Sequence, residues 1–231
     1  MTRGTLYGLG VGPGDPELLT LKAVRLLREA DVIAAPDKGS GEKTALTIVK
    51  DYIQGKPLLP CVTPMVRDRQ VLDAAHDQIA DSICALLEEG KNVVFITLGD
   101  PTVYSTYMYV HRRVLERGYE AVLVPGVPSF CAAAAQLGRS LCEGSERLLI
   151  VPASHKDVGD CLEVDANLVF MKAGREIGAL KETLRSHDLL DRASLAANCG
   201  MEGEQLWERF GDTPEDTGYF SIVLVKKGEN A

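Results

Sequence analysis

Apolar residues in this chain alternate between short unbroken runs and longer stripes at helical spacing. Val93-Val94-Phe95-Ile96 is the clearest run. It is β-branched-rich and bounded by turn formers, which predicts a buried strand. It stops at Gly99-Asp100-Pro101, a combination that favours a tight turn. Val103, Tyr107, Val110 and Val114 then recur at helical spacing and predict an amphipathic helix. The same succession of strand, Gly/Pro turn and helix occurs twice more. Thr5–Val11 reads as a strand, Asp15 as a helix N-cap and Pro16 as a first helical residue, with Leu19, Ala23, Leu26, Leu27 and Ala30 as one apolar face. Glu120–Val124 reads as a strand leading through Pro125-Gly126-Val127-Pro128-Ser129 into a small-residue helix over Phe130–Leu137.

Between these junctions the pattern predicts a strand at Asp31–Ala35 ended by Pro36, a polar loop at Lys38–Lys43, a helix over Thr44–Ile53 and a strand at Leu58–Val62. A loop carrying Arg67 and Arg69 follows. Leu72, Ala75, Ile79, Ile83, Leu86 and Leu87 then form the strongest helical stripe, closed by Gly90. Alternating β and α elements predict a parallel sheet covered by helices on both faces. Beyond Leu137 strands come more densely: Leu148–Pro152, Leu168–Met171, a helix with Ile177, Leu180 and Leu184, a hairpin of Ala193–Asn198 with Gln205–Phe210, and Tyr219–Val225. This predicts a mixed sheet. The fold expected is therefore α/β with two α/β domains, an N-terminal one (residues 1–122) with a mainly parallel sheet and a C-terminal one (residues 123–231) with a mixed sheet.

Composition narrows the function classes. The chain has 231 residues, 45% apolar and 25% charged, enough for a proper core without disulfide or metal staples. No apolar run approaches the roughly 18–20 residues of a membrane span, and the N-terminus runs almost directly into a strand, so a cytoplasmic protein is expected. A net charge of −8 argues against general nucleic-acid binding. The six cysteines (Cys61, Cys84, Cys131, Cys142, Cys161, Cys199) form no C-x-x-C pair, which argues against zinc and thioredoxin-like chemistry and for reduced, small core residues.

Loops at the carboxyl ends of parallel strands are where α/β proteins bind small ligands. Gly8, Gly10, Gly12 and Gly14 suggest a dinucleotide fingerprint, but Pro13 and Asp15 stand where that fingerprint requires Gly or Ala, so an NAD-type site is not expected. What remains is a turn that admits a ligand close to its backbone. No Ser-His-Asp constellation or metal cluster is evident.

The stretch Gly10-Val11-Gly12-Pro13-Gly14-Asp15-Pro16-Glu17-Leu18-Leu19-Thr20-Leu21-Lys22-Ala23 resembles the N-terminal signature of the tetrapyrrole (corrin/porphyrin) methyltransferases. Gly99-Asp100-Pro101 resembles their second motif and Pro125-Gly126-Val127-Pro128-Ser129 their third. Tyr104-Ser105-Thr106-Tyr107-Met108, Pro64-Met65 and Tyr219-Phe220-Ser221 are similar to the branch that methylates C20 of precorrin-2 or its cobalt counterpart. The Phe-Gly-Arg-Gly-like run of the uroporphyrinogen branch is missing.

The resemblance implies an S-adenosylmethionine-dependent C-methyltransferase of cobalamin synthesis, homodimeric, with the active-site cleft between its two domains. It implies cofactor contacts at Leu98, Gly99, Asp100, Val103, Tyr104, Ser105, Thr106, Val127, Ser129, Phe130, Met171, Ala197, Asn198 and Cys199. Gly12, Pro13 and Gly14 would line the tetrapyrrole trough. Methyl transfer from a sulfonium needs positioning above all, and a carboxylate or phenol could take the proton lost from the methylated meso carbon. Asp100, Tyr104 and Tyr219 are the candidates. Asp100 reads equally well as a turn carboxylate and the tyrosines as cleft-wall packing. The substrate's many carboxylates call for cations, for which Arg67, Arg69, Arg112, Arg113, Lys172 and Arg175 are available. Arg67 and Arg112 are the two taken as substrate contacts; Arg112 and Arg113 share a helix but point to different faces, so both cannot serve alike. His155 is a weaker substrate contact. The competing expectations are another corrin-ring methyltransferase or, in a different class, a non-catalytic nucleotide or anion sensor.

Overall fold

The computed structural model describes residues 2–37, 44–64, 66, 68–155 and 157–228. The expected loop over Lys38–Lys43, Met65 and the candidate Arg67 lie outside the described residues. The chain divides into two compact units, Met1–Pro128 and Ser129–Ala231.

The first unit holds five strands, β1 (Thr5–Gly10), β2 (Val32–Asp37), β3 (Leu58–Val62), β4 (Val93–Thr97) and β5 (Glu120–Val124). They pair in parallel in the order β3-β2-β4-β1-β5. Helices α1 (Leu21–Glu29) and α2 (Thr44–Val49) cover one face, α3 (Arg69–Glu88) and α4 (Tyr107–Glu116) the other. The alternation of β4 makes this visible: Val93 and Phe95 pack with Ile83, Leu87, Tyr107 and Val110, while Val94 and Ile96 pack with Leu26, Leu27, Ile48 and Val49. Strands buried on both faces read as continuous apolar runs, as β4 does. Each Leu or Ile buried this fully contributes about 1.5–3 kcal/mol.

The second unit holds α5 (Ser129–Gln136), β6 (Leu148–Pro152), α6 (Val158–Glu163), β7 (Asn167–Met171), α7 (Ile177–Ser186), β8 (Ala193–Ala197), β9 (Gln205–Trp207) and β10 (Ser221–Val225). Its sheet runs β6-β7-β10-β8-β9, with β6 and β7 parallel and every other pair antiparallel. The expected mixed sheet and the β8–β9 hairpin are present.

Several boundaries differ from expectation. β5 pairs along its length with β1 and so belongs to the first unit, Met1–Pro128. Pro36 does not end β2; the strand continues to Asp37, with Pro36 opposite Cys61. Asp15 caps only a 3-10 turn at Pro16–Leu18, and α1 starts anew at Leu21, where the Thr20 hydroxyl accepts from the Ala23 N–H at 3.1 Å. The helix after β4 begins at Tyr107 rather than Val103. Of the cysteines, Cys61, Cys84 and Cys199 are buried, but Cys131 and Cys142 are exposed, so those two are not core residues.

Candidate active site

Adjacent strands β1 and β4 lead to helices on opposite faces of the first sheet, so their loops part at their carboxyl ends. This is the topological switch point at which open α/β sheets bind ligands. Here the loops are joined backbone to backbone. Gly12 and Gly99 form an isolated antiparallel bridge, Gly99 N–H donating to the Gly12 carbonyl at 2.7 Å and Gly12 N–H to the Gly99 carbonyl at 3.3 Å. Both glycines have positive φ, +75° and +68°. The third loop presses against them. A Cβ on Gly126 would stand 2.3 Å from the Gly99 carbonyl oxygen, and one on Gly10 would stand 2.5 Å from that same oxygen and 2.6 Å from Gly126 N. Backbone atoms cannot give way as a flexible side chain can, so glycine is required at both positions.

Asp100, buried, ties this junction together. One carboxylate oxygen accepts from the Thr102 N–H at 2.8 Å and the Thr102 hydroxyl at 2.5 Å, and the other accepts from the Gly126 N–H at 3.0 Å. The carboxylate therefore holds its own turn and the third loop. Beyond it Tyr104 adopts a left-handed conformation, φ +47°, with its side chain 47% exposed. Ser105 Oγ lies 2.8 Å from Thr97 Oγ1 and accepts from the Tyr107 N–H at 3.2 Å, where α4 begins. Leu98, Gly99, Asp100, Val103, Tyr104, Ser105, Thr106 and Val127 thus belong to one assembly of loops. Gly12, Pro13 and Gly14 lie buried beside it.

In the second unit the carboxyl ends of β7 and β8 and the start of β10 share one edge, since Ile222 pairs with Met171 and Ser221 with Ala197. Met171, Ala197, Asn198 and Cys199 gather there. Asn198 has positive φ (+51°) and its N–H donates to the Phe220 carbonyl at 3.0 Å. Tyr219, 44% exposed, makes an edge-on contact with Phe220. Burial and the adjacent Glu204 carboxylate push the Cys199 thiol up to about 11, so it stays protonated and is no nucleophile. Ser129 and Phe130 open α5. A cavity of about 210 Å³ sits at the opposite strand ends, between Arg139, Leu168, Ser194 and Lys226, and takes in none of the predicted site residues.

A family model described as tetrapyrrole (corrin/porphyrin) methylases matches residues 5–213, which spans all three loop junctions and the strand ends of the second unit. The chain belongs to the tetrapyrrole methylases. It is 33% identical over 235 residues to the cobalt-precorrin-2 C(20)-methyltransferase of Salmonella typhimurium, covering 97% of both chains. It is 30% identical over 234 residues to a precorrin-2 C(20)-methyltransferase of a Sinorhizobium species, covering 96% of this chain and 95% of the relative. Among solved structures, the cobalt precorrin-4 methyltransferase CbiF superposes with a TM-score of 0.78 at 19% identity, covering 96% and 94% of the two chains. A Thermus thermophilus uroporphyrin-III C-methyltransferase in complex with S-adenosyl homocysteine superposes with a TM-score of 0.70 at 23% identity, covering 96% and 97%. These two establish the fold.

The cations expected of this tetrapyrrole methylase are unequally free. Arg113 is committed to Asp73 at 2.7 Å and Asp77 at 3.2 Å, and Arg117 to Asp77 and Asp81, both at 2.9 Å, a ladder that fastens α4 to α3. A hydrogen bond from Arg117, and then the charges of both arginines, hold the Asp77 carboxyl below its ordinary range. Arg112 is exposed, its guanidinium 5.3 Å from the centre of the Tyr109 ring. Arg69 and Arg175 are exposed, as is His155, whose Nδ1 accepts from the Asp157 N–H. Sequence reasoning passed over Thr97, a hydroxyl at the end of an apolar strand, and the buried imidazoles of His76 and His111. An interrupted apolar run was the available signal for Thr97.

Proposed function

We propose that this chain transfers the methyl group of S-adenosylmethionine to C20 of precorrin-2 or its cobalt form in cobalamin biosynthesis. The observation that carries this is near full-length similarity, at 30% and 33% identity, to enzymes named for that reaction. The three fused loops supply a fixed backbone: Gly10 and Gly126 leave no room for a Cβ against the Gly99 carbonyl, so the turn that follows Gly99 is held by its neighbours. S-adenosylmethionine supplies an electrophilic methyl on a sulfonium. What the protein adds is position.

In this reading the cofactor contacts are those the family resemblance implies: Leu98–Asp100, Val103–Thr106, Val127, Ser129, Phe130, Met171 and Ala197–Cys199. Gly12, Pro13, Gly14 and Arg112 face the tetrapyrrole. Asp100 keeps its carboxylate on backbone and Thr102, which makes its part the setting of the cofactor turn. Tyr104 and Tyr219, both exposed residues, are the candidates to steer the departing proton. We also read the protein as a cytoplasmic homodimer. The resemblance supports the dimer; among the described residues no helix is long and apolar enough to cross a membrane.

The test is an anaerobic assay with S-adenosylmethionine, offering metal-free precorrin-2 and cobalt-factor II separately, with the methylated carbon located by NMR. Methylation at C20 of either supports the reaction and identifies the pathway branch. Transfer to another ring carbon replaces the C20 reading with a different corrin methyltransferase. If both tetrapyrroles stay unmethylated while S-adenosylhomocysteine still binds tightly, the C20 assignment falls, another ring position becomes the working reading, and the tight binding counts against the sensor.

A further inference from the structure

The last residue of β4 is out of character with its strand. Val93 and Phe95 face the apolar layer of α3 and α4, and Thr97, two residues on, lies on that same side of the strand. Thr97 is buried, 7% exposed, and a buried hydroxyl needs a partner. Its Oγ1 is 2.8 Å from Ser105 Oγ. That second hydroxyl also takes the Tyr107 N–H at 3.2 Å, at the first residue of α4, while the N-cap residue Thr106 makes no side-chain capping bond. The start of α4 is therefore held from the sheet through Thr97 and Ser105.

The segment so anchored is Pro101–Thr106, which carries no regular structure and holds Tyr104 in the left-handed region. An aromatic residue there is unfavourable and persists only where its surroundings over-determine it. Asp100 fixes the front of the turn through Thr102, and Thr97 fixes its rear through Ser105. We infer that Thr97 is a positioning residue for S-adenosylmethionine: it touches no ligand, and sets the Tyr104-Ser105-Thr106 turn in its cofactor-holding shape. This rests on the cofactor reading of that turn proposed above.

The test compares Thr97→Val, which keeps the shape and removes the hydroxyl, with Thr97→Ser, which restores it, and with Ser105→Ala and the Thr97→Val/Ser105→Ala double variant. S-adenosylhomocysteine affinity is measured by calorimetry, KM for each substrate by initial rates, and Tm by circular dichroism. Losing one such hydrogen bond corresponds to roughly a three- to tenfold change in an equilibrium constant. Thr97→Val is expected to weaken S-adenosylhomocysteine binding and raise KM for S-adenosylmethionine by that factor, leaving KM for the tetrapyrrole unchanged. Thr97→Ser is expected to recover the wild-type values, and the double variant to bind no more weakly than Ser105→Ala alone. Wild-type affinity in Thr97→Val overturns the inference, whatever its Tm, and so does failure of Thr97→Ser to recover. Should Thr97→Val not fold, unchanged affinity in Ser105→Ala overturns it equally. If the wild-type protein itself binds no S-adenosylhomocysteine, the cofactor reading falls and this inference with it.

Discussion

Replacing Asp100 with asparagine separates a positioning carboxylate from a catalytic base. In the native structure the carboxylate takes three hydrogen bonds, two from Thr102 on one oxygen and one from the Gly126 N–H on the other. Asparagine is nearly isosteric but offers one acceptor oxygen and one NH2 donor. Its oxygen can keep both Thr102 bonds. Its NH2 then points at the Gly126 N–H, donor against donor, and a charge-assisted bond is lost while that N–H is left unpaired. Such a bond is worth about 1.5–3 kcal/mol. Asp100 is only 8% exposed, so water compensates little. For a chain of this length about 2 kcal/mol lowers Tm by roughly 4–8 °C. The expected result for Asp100→Asn is that drop, read by circular dichroism, together with weaker S-adenosylhomocysteine binding by calorimetry as the third loop loosens. A variant that melts and binds as the wild type does, yet loses methyl transfer by orders of magnitude, would refute the argument and make Asp100 the proton acceptor.

Gly126→Ala should be more damaging, because its Cβ would lie 2.3 Å from the Gly99 carbonyl oxygen and 2.7 Å from the Gly10 carbonyl carbon. Loss of soluble protein or of S-adenosylhomocysteine binding is expected, and normal affinity would contradict the close crossing. His76 is buried, stacks on Tyr109, and among the described residues neither of its ring nitrogens has a hydrogen-bond partner. Burial, then the nearby Arg113 charge, lowers its pKa, as burial and then Arg112 lower that of His111. A depressed histidine pKa means that the unfolded chain binds more protons, so stability should fall as pH drops through the ordinary imidazole value near 6.5 and level off below the folded value. In Tm measurements across that window His76→Phe should flatten the slope; an unchanged slope would remove His76 as its source. Arg117→Met cuts the bonds to Asp77 and Asp81, whose side chains are 48% and 67% exposed, so the loss should stay within about 1 kcal/mol and shrink with added salt. A larger, salt-independent loss by urea unfolding would contradict a solvent-screened ladder.

Much of the architecture was legible because it rests on local pattern. A both-faces-buried strand such as β4 must be uniformly apolar, and α3 must carry a stripe toward the sheet, so run length and period reveal them. The three Gly/Pro turns were legible for a similar reason, since positive φ and chain reversal restrict the residues that can serve. What the sequence did not determine is why those glycines are needed. Gly10, Gly99 and Gly126 are far apart in the chain, and only the order β4-β1-β5 brings their loops into backbone contact.

The same holds for charges and hydroxyls. Arg112 and Arg113 are neighbours in sequence and of one chemistry, yet the α3–α4 packing engages Arg113 with Asp73 and Asp77 and leaves Arg112 exposed. Pro36 should end a strand by propensity, but opposite Cys61 the pairing carries the strand on to Asp37. The partner of Thr97 and the Gly126 partner of Asp100 could not be read from spacing, because a hydrogen bond depends on distances of a few tenths of an ångström. Periodicity reports which face of an element is buried. Which polar atoms meet there is decided only when the elements pack.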